Sequence, residues 1–113
     1  DELGGWDEAY FCDGEDIDVC YRIYEAGYEI IYDPHVEVLH DKGASSGLRK
    51  ESADIATPPK ETRVKVARES VRAMELFYEK FYSDKYSRPV TGLVLAGIRA
   101  RGRLRILKHQ LTP

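Results

Sequence analysis

The sequence predicts an α/β domain built from one helix, two short strands and two further helices. Apolar residues recur at helical spacing between residues 15 and 26, which indicates the first helix. Beyond it, apolar and polar residues alternate over 28–32 and again over 36–38, so two short strands are expected to meet at Pro34. The chain from residue 59 onward has mostly helical periodicity.

The loop before the first helix has the sequence GGWDEAYFCDG, in which paired glycines and a closing Asp-Gly mark turns. Its aromatic residues Trp6, Tyr10 and Phe11 are expected to pack against the rest of the domain. Asp13 is predicted to cap the N-terminus of the helix, and Gly27 is predicted to end it.

The first helix carries an acid on the side that should be buried. In the stretch GEDIDVCYR, Asp16 shares a helix face with Val19 and Ile23. Burying a carboxylate without a partner is costly, so Asp16 is expected to take part in a helix cap, a cation site or catalysis. Asp18 and Arg22, one turn apart on another side, are expected to form an ion pair.

The charges of the chain are divided between its ends. Residues 1–41 carry thirteen acids and one base, whereas residues 88–113 carry six bases and no acid. The acidic start suggests a cation site or plain solubility, and the basic end suggests an anionic partner such as phosphate or lipid headgroups. Two solvated faces that attract each other would explain the same pattern. Nucleic acid is not expected as a partner, because the basic end lacks interleaved aromatics and the net charge is -3.

A length of 113 residues with 42% apolar composition suits one small domain. The sequence has no run of about 18 apolar residues, so no segment is expected to span a bilayer. Cys12 and Cys20 lack the spacing of a metal or disulfide motif and are expected to be free thiols. The first residues read like the middle of a domain, so the chain is expected to be a fragment of a longer protein.

The second half of the chain predicts two helices after a loop at residues 41–59. The earlier of these two helices has an apolar seam with steps of three and four, suited to packing against one neighbour. The seam consists of Val64, Ala67, Val71, Met74, Tyr78 and Phe81. In the later of these two helices, one side carries Ala100, Leu104, Leu107 and Leu111, and basic residues line much of the rest.

The order of motifs between residues 4 and 45 is specific. A GG-aromatic-DE loop is followed by an ED-x-D helix start with a cysteine and an arginine, then GY, a strand ending in proline, and H-x-x-G-x-S. This run resembles the C-terminal catalytic half of bacterial family 2 glycosyltransferases, especially the rhamnosyltransferase-like members. The resemblance implies a C-terminal fragment of the α/β GT-A fold. Residues 1–58 would form its acceptor and base side, and residues 59–113 a helical extension.

The resemblance also implies roles for particular residues. Such enzymes move a sugar, with inversion, from a nucleotide-diphospho-sugar donor to a hydroxyl acceptor. Asp16, the second acid of the ED pair, would be the general base, which must be ionised and within hydrogen-bond reach of the acceptor hydroxyl. Glu15 would contact the acceptor. His40 would bind a divalent metal, Mg²⁺ or Mn²⁺, shared with the donor diphosphate.

Four more residues complete the predicted substrate-binding set: Trp6, Asp18, Arg22 and Ser45. Trp6 would stack on a sugar ring, and core packing is its alternative role. For Asp18 and Arg22 the alternative is a structural ion pair on the helix. Ser45 would close over the diphosphate once donor binds.

The resemblance finally implies a cellular setting. The donor-binding half of such enzymes, with its DxD metal motif, precedes the matched region, so the chain alone is expected to be inactive. Many of these transferases act on lipid-linked acceptors, so we expect a cytoplasmic protein that docks on the inner face of the cell membrane through residues 99–109. An uncovered seam and open strand edges would favour homo-oligomers. The alternative function is a non-catalytic helical interaction or dimerisation module.

Overall fold

A computed structural model describes residues 2–39 and 59–111 of the chain. This part contains three helices, α1 at Glu15–Glu25, α2 at Lys60–Phe81 and α3 at Arg88–Leu111. None of the residues in these two ranges lies in a strand. The described part is therefore all helical, and the prediction of an α/β, GT-A-like class with two short strands is wrong.

Residues 28–39 follow α1 as an irregular segment instead of the two predicted strands. The apolar side chains whose alternation suggested strands are exposed: Tyr28, Ile30, Tyr32, Val36 and Val38. A strand must pair its backbone N–H and C=O groups with a neighbouring strand, and no described residue provides that pairing for 28–39. The alternating pattern indicates which side chains would share a face of a strand, but it does not show that a neighbouring strand exists to pair with it.

Helix α1 begins directly after Gly14, whose φ of 97° lies in the left-handed region that glycine tolerates. No side chain caps the helix, so the prediction of Asp13 as the cap is wrong. Asp13 instead accepts a hydrogen bond from the Ser70 hydroxyl of α2. At the other end, the Gly27 N–H donates to the Tyr24 carbonyl at 2.9 Å, which confirms the predicted end of the helix.

Aromatic side chains join α1 to α2. The centroid of the Tyr21 ring lies 5.5 Å from that of Phe77 and 4.4 Å from that of Phe81. Tyr82, which follows α2, lies 5.8 Å from the same ring. Such pairs stabilise a contact beyond the area they bury, by about 0.5–1.5 kcal/mol each.

The loop before α1 buries fewer aromatic residues than its sequence predicts. Tyr10 is buried, as expected, but Trp6 and Phe11 are 63% and 59% exposed. Lys65 of α2 lies over the Phe11 ring, with its Nζ 4.5 Å from the ring centroid. The predicted core packing of Trp6 and Phe11 is therefore wrong, and the indole of Trp6 is open to solvent.

Helices α2 and α3 pack along each other. Gly102 of α3 is buried against Val71 of α2, and a Cβ at Gly102 would lie 2.9 Å from Val71 Cγ1 and closer still to Cγ2. Ala67 of α2 is completely buried. The predicted seam of α2 is thus covered in large part, except at Met74, which is 51% exposed.

The predicted parts 1–58 and 59–113 contact each other through α1 and α2. Their boundary adjoins residues outside the described ranges, so it stays a prediction. Cys12 and Cys20 are free thiols, as predicted. None of the helices in the described part has the length and apolar content needed to cross a bilayer.

Candidate functional site

The centre of the candidate site is Asp18 of α1, which is fully buried. Arg22 Nε donates a hydrogen bond to Asp18 Oδ1 at 2.6 Å, and Lys80 Nζ of α2 donates to Oδ2 at 2.7 Å. The Tyr10 hydroxyl donates to the same Oδ2 at 3.1 Å. The predicted pair of Asp18 and Arg22 is confirmed, but it lies inside the fold rather than on a solvated surface.

Opposing effects act on the pKa values in this cluster. Burial would raise the pKa of Asp18, but the hydrogen bonds from Lys80, Arg22 and Tyr10 outweigh it and hold this pKa below its usual value. Burial would lower the pKa of Lys80, but the hydrogen bonds to Asp18 and Asp7 raise it above its usual value. Burial and the Asp18 charge raise the pKa of Tyr10. At neutral pH the cluster therefore holds a buried carboxylate between two cations and a neutral phenol.

Arg22 also fixes the loop that precedes α1. Its Nη1 donates to the Leu3 carbonyl, and its Nη2 donates to the Gly5 carbonyl at 2.6 Å. Gly4 and Gly5 have φ values of 73° and 69°, which glycine adopts without strain. The guanidinium of Arg22 is thus committed to holding the glycine pair next to Asp18.

An open cleft of about 300 Å³ lies beside this cluster. It is lined by the glycine pair together with Trp6, Asp7, Glu8, Arg22 and Lys80. Lys80 Nζ, at one side of the cleft, donates to Asp7 Oδ2 at 2.6 Å. An exposed indole beside charged hydrogen-bonding groups offers a flat apolar surface and polar contacts, which suits a polar ring such as a sugar.

Asp16 lies on the exposed side of α1. Its Oδ1 accepts a hydrogen bond from the N–H of Ile17 at 2.8 Å. The prediction that Asp16 lies on the buried face is therefore wrong. The buried face centres on Asp18 instead, because the ion pairs and the Tyr21 ring turn that side of α1 towards α2.

Glu15 stands beside Asp16 in the first turn of α1 and is partly buried. Its Oε2 is buried and has no hydrogen-bond partner among the described residues. A buried acceptor without a partner is unfavourable by about 1–3 kcal/mol, and a hydroxyl group of a ligand would relieve that cost. The two neighbouring acids therefore differ: Asp16 is open to solvent, and Glu15 has a buried oxygen that lacks a hydrogen-bond donor among the described residues.

The predicted metal ligand His40 and the predicted phosphate contact Ser45 lie outside the described residues. Among residues 2–39 and 59–111, no three His, Cys, Asp or Glu side chains are grouped closely enough to hold a metal ion. The predicted Mg²⁺ or Mn²⁺ site at His40 therefore stays a prediction.

Sequence reasoning did not identify Lys80 as a member of the buried cluster. Lys80 and Asp18 are 62 positions apart, so no local periodicity connects them. The one signal in the sequence was the charge imbalance, because an acidic first third with one arginine needs cations from elsewhere in the chain. That signal indicates that a partner exists, but not which of the later lysines and arginines it is.

Curated glycosyltransferases of Mycobacterium tuberculosis match part of the chain. N-acetylglucosaminyl-diphospho-decaprenol L-rhamnosyltransferase is 39% identical over 66 residues, which are 58% of this chain and 21% of that protein. Pre-mycofactocin glycosyltransferase is 45% identical over 40 residues, which are 35% of this chain and 8% of that protein. Part of this chain is similar to glycosyltransferases.

The chain spans about a fifth of the length of the rhamnosyltransferase that it matches. No family model matches the chain, and no solved structure matches it. The partial matches to the two mycobacterial enzymes confirm the resemblance for glycosyltransferases in general.

Proposed function

We propose that the chain supplies the acceptor side of an inverting glycosyl transfer of the family 2 type. In this reaction the acceptor hydroxyl gives its proton to a base, its oxygen bonds to the anomeric carbon of the donor sugar, and the bond from that carbon to the diphosphate breaks. The partial identity with a rhamnosyltransferase carries the proposal. Because the match spans 21% of that relative, we propose that residues outside this chain bind the nucleotide.

Asp16 is the proposed general base. Its exposed position supports this role, because an acceptor hydroxyl can approach the carboxylate directly. Its place in the first turn of α1 supports the role too, since the positive end of the helix dipole lies near the carboxylate. A carboxylate near the anomeric carbon also stabilises the positive charge that develops on the sugar ring.

Glu15 and Trp6 are the proposed acceptor contacts. The buried Glu15 Oε2, which lacks a donor among the described residues, supports a hydrogen bond from an acceptor hydroxyl. The exposed indole of Trp6 in the cleft supports stacking on a sugar ring. Asp18 and Arg22 are committed to each other, so their proposed part in substrate binding is to position α1 and the glycine loop.

A divalent metal shared with the donor diphosphate stays part of the proposal, with His40 as one ligand and Ser45 near the phosphates. Such a metal, Mg²⁺ or Mn²⁺, would offset the negative charge of the leaving diphosphate. The proposed proton transfer from the acceptor hydroxyl to Asp16 does not depend on this metal.

The names of the relatives suggest which substrates to test first. The proposed donor is a nucleotide-diphospho-sugar that carries L-rhamnose, and the proposed acceptor is N-acetylglucosaminyl-diphospho-decaprenol. The alternative function, a non-catalytic helical interaction or dimerisation module, was based on the seam of α2, which α1 and α3 largely cover.

The test measures transfer of labelled rhamnose to this acceptor by the full protein whose gene contains this sequence. Asp16→Asn keeps the size of the side chain but removes the base, so kcat should fall by at least about 100-fold. Glu25→Gln, at the other end of α1, is the matched control and should leave kcat near that of the unchanged protein. Equal losses in both variants, or full activity of Asp16→Asn, would contradict the assignment of the base.

Calorimetry separates the two sides of the proposed enzyme. The 113-residue chain alone is expected neither to bind the nucleotide-sugar tightly nor to transfer it. Micromolar binding by the chain alone would refute the proposal that the nucleotide site lies in other residues.

A further inference from the structure

Helix α3 has an inner side that is used within the chain. Gly102 is buried against Val71 of α2, and Thr91, Ile98 and His109 of α3 are partly buried. These α3 positions recur at steps of seven, four and seven, so they lie on one side of the helix. This side leaves the opposite side of α3 without a neighbour in the described part of the chain.

The outer side of α3 is an exposed apolar stripe. Its members follow steps of four, three, four, three and four: Leu93, Gly97, Ala100, Leu104, Leu107 and Leu111. At roughly 100° per residue, Leu104 points away from the side that carries Gly102. The four leucines are 74%, 70%, 50% and 76% exposed in chain order. An exposed row of this length is typical of a helix that docks on another surface.

Cations stand on both flanks of this stripe. Arg101 and Arg105 lie on one side of it and Arg103 on the other, and all three are exposed. None of these three forms an ion pair within the described residues, whereas Arg99, nearer to α2, donates to Glu75 Oε1 at 2.7 Å. No acid occurs anywhere from residue 88 to residue 113. The stripe and its flanks therefore present apolar surface framed by positive charge that forms no ion pair within the described residues.

We propose that this outer face of α3 docks on an anionic lipid surface, with the leucines in the interface and the arginines on the headgroups. A second copy of the chain fits less well, because pairing two such stripes would bring the arginine rows together without any acid to offset them. An anionic headgroup layer satisfies both features at once, since it takes leucines at its acyl boundary and attracts cations. This inference goes beyond glycosyl transfer and does not depend on it.

Vesicle sedimentation tests the electrostatic part. The chain should bind vesicles of phosphatidylglycerol, bind phosphatidylcholine vesicles much more weakly, and be released by high salt. Replacing Arg101, Arg103 and Arg105 by Gln should lower the partition coefficient by roughly 100-fold, because each cation contributes about one factor of five. Replacing Lys60, Arg68 and Arg72 of α2 by Gln changes the net charge equally and is the matched control, which should bind as the unchanged chain does.

A second variant tests the apolar part. Leu104→Ser combined with Leu107→Ser should lower the partition coefficient by about tenfold or more, with the helical circular dichroism retained. Equal binding to both lipids, or equal losses in the two arginine-to-glutamine sets, would overturn the proposal. So would a stable dimer, seen by light scattering, that the serine variant dissociates. No nucleotide-sugar is present in these measurements, so their failure would leave the proposed transfer untouched.

Discussion

Asp18 is the residue through which the first loop, α1 and α2 are joined. Its two oxygens accept hydrogen bonds from Arg22, Lys80 and Tyr10, and no part of it reaches solvent. A carboxylate in such a place is tolerated because its partners replace the lost water. Removing its charge would leave two cations facing a neutral group at the centre of the contact.

Asp18→Asn should therefore lower the free energy of unfolding by about 3 kcal/mol. Asp16→Asn is the matched control on the same helix, and should change it by less than about 1 kcal/mol, because Asp16 is exposed. Urea unfolding followed by circular dichroism measures the free energy of unfolding of both variants. If Asp18→Asn has already lost its helical signal in buffer without urea, its loss of free energy is at least as large as expected. Similar losses in the two variants would show that burial of Asp18 does not stabilise the fold.

The difference between these two acids marks what a sequence can tell at the scale of residues. The pair of Asp18 and Arg22 was predictable because both residues lie on one helix, four positions apart. The burial of Asp18 was not, because it depends on Lys80, a residue 62 positions away. The spacing of apolar residues predicted that Asp16 is the buried acid, because such spacing does not reveal a helix face that is buried through ion pairs.

At the scale of elements, α2 and α3 depend on a close approach at Gly102. Gly102→Ala would place a methyl group against Val71 and should lower the free energy of unfolding by about 1–3 kcal/mol. Gly97→Ala in the same helix meets nothing within 4 Å, so it should raise that free energy by about 0.5–1 kcal/mol. Thermal unfolding of the two variants would give opposite shifts. A gain in both would mean that the helices do not touch at Gly102.

The way the backbone pairs in helices and in strands explains why the helices were predicted correctly and the two strands were not. A helix pairs its backbone internally, so periodicity within one segment suffices to predict α1, α2 and α3. A strand pairs with another segment, and the alternation at residues 28–39 contains no information about that segment. The resemblance to GT-A enzymes supplied the missing sheet in the prediction, but the described residues of this chain do not form it.

At the scale of the whole molecule, the acids of the first third and the bases of the last helix are used differently in the structure. Acids of the first third meet bases of α2, as in the contacts of Lys80 with Asp7 and Asp18. The cations on the outer face of α3 have no such acids around them in the described part of the chain. Some acids of the first third are thus paired with a base of α2 inside the fold, whereas the positive charge on the outer face of α3 is not paired within the described residues.

The same charges predict how stability depends on acid. The pKa of Asp18 is lowered on folding, so its contribution is complete above about pH 4, its unfolded value, and is lost as the pH falls through the folded value. The pKa of His109 is also lowered, because burial and the neighbouring Arg105, Arg63 and Lys108 disfavour its charged form. Its contribution is complete above about pH 6.5 and is lost as the pH falls towards the folded value.

The free energy of unfolding should therefore fall in two steps as the pH is lowered from about 7, first through His109 and then through Asp18. His109→Gln should remove the first step and leave the second. Lys80→Met should shrink the second step, because Lys80 is the foremost of the donors that lower the pKa of Asp18. Urea midpoints measured from neutral to acid pH separate the steps. A single step that persists unchanged in both variants would mean that carboxylates other than Asp18 govern the acid stability of the molecule.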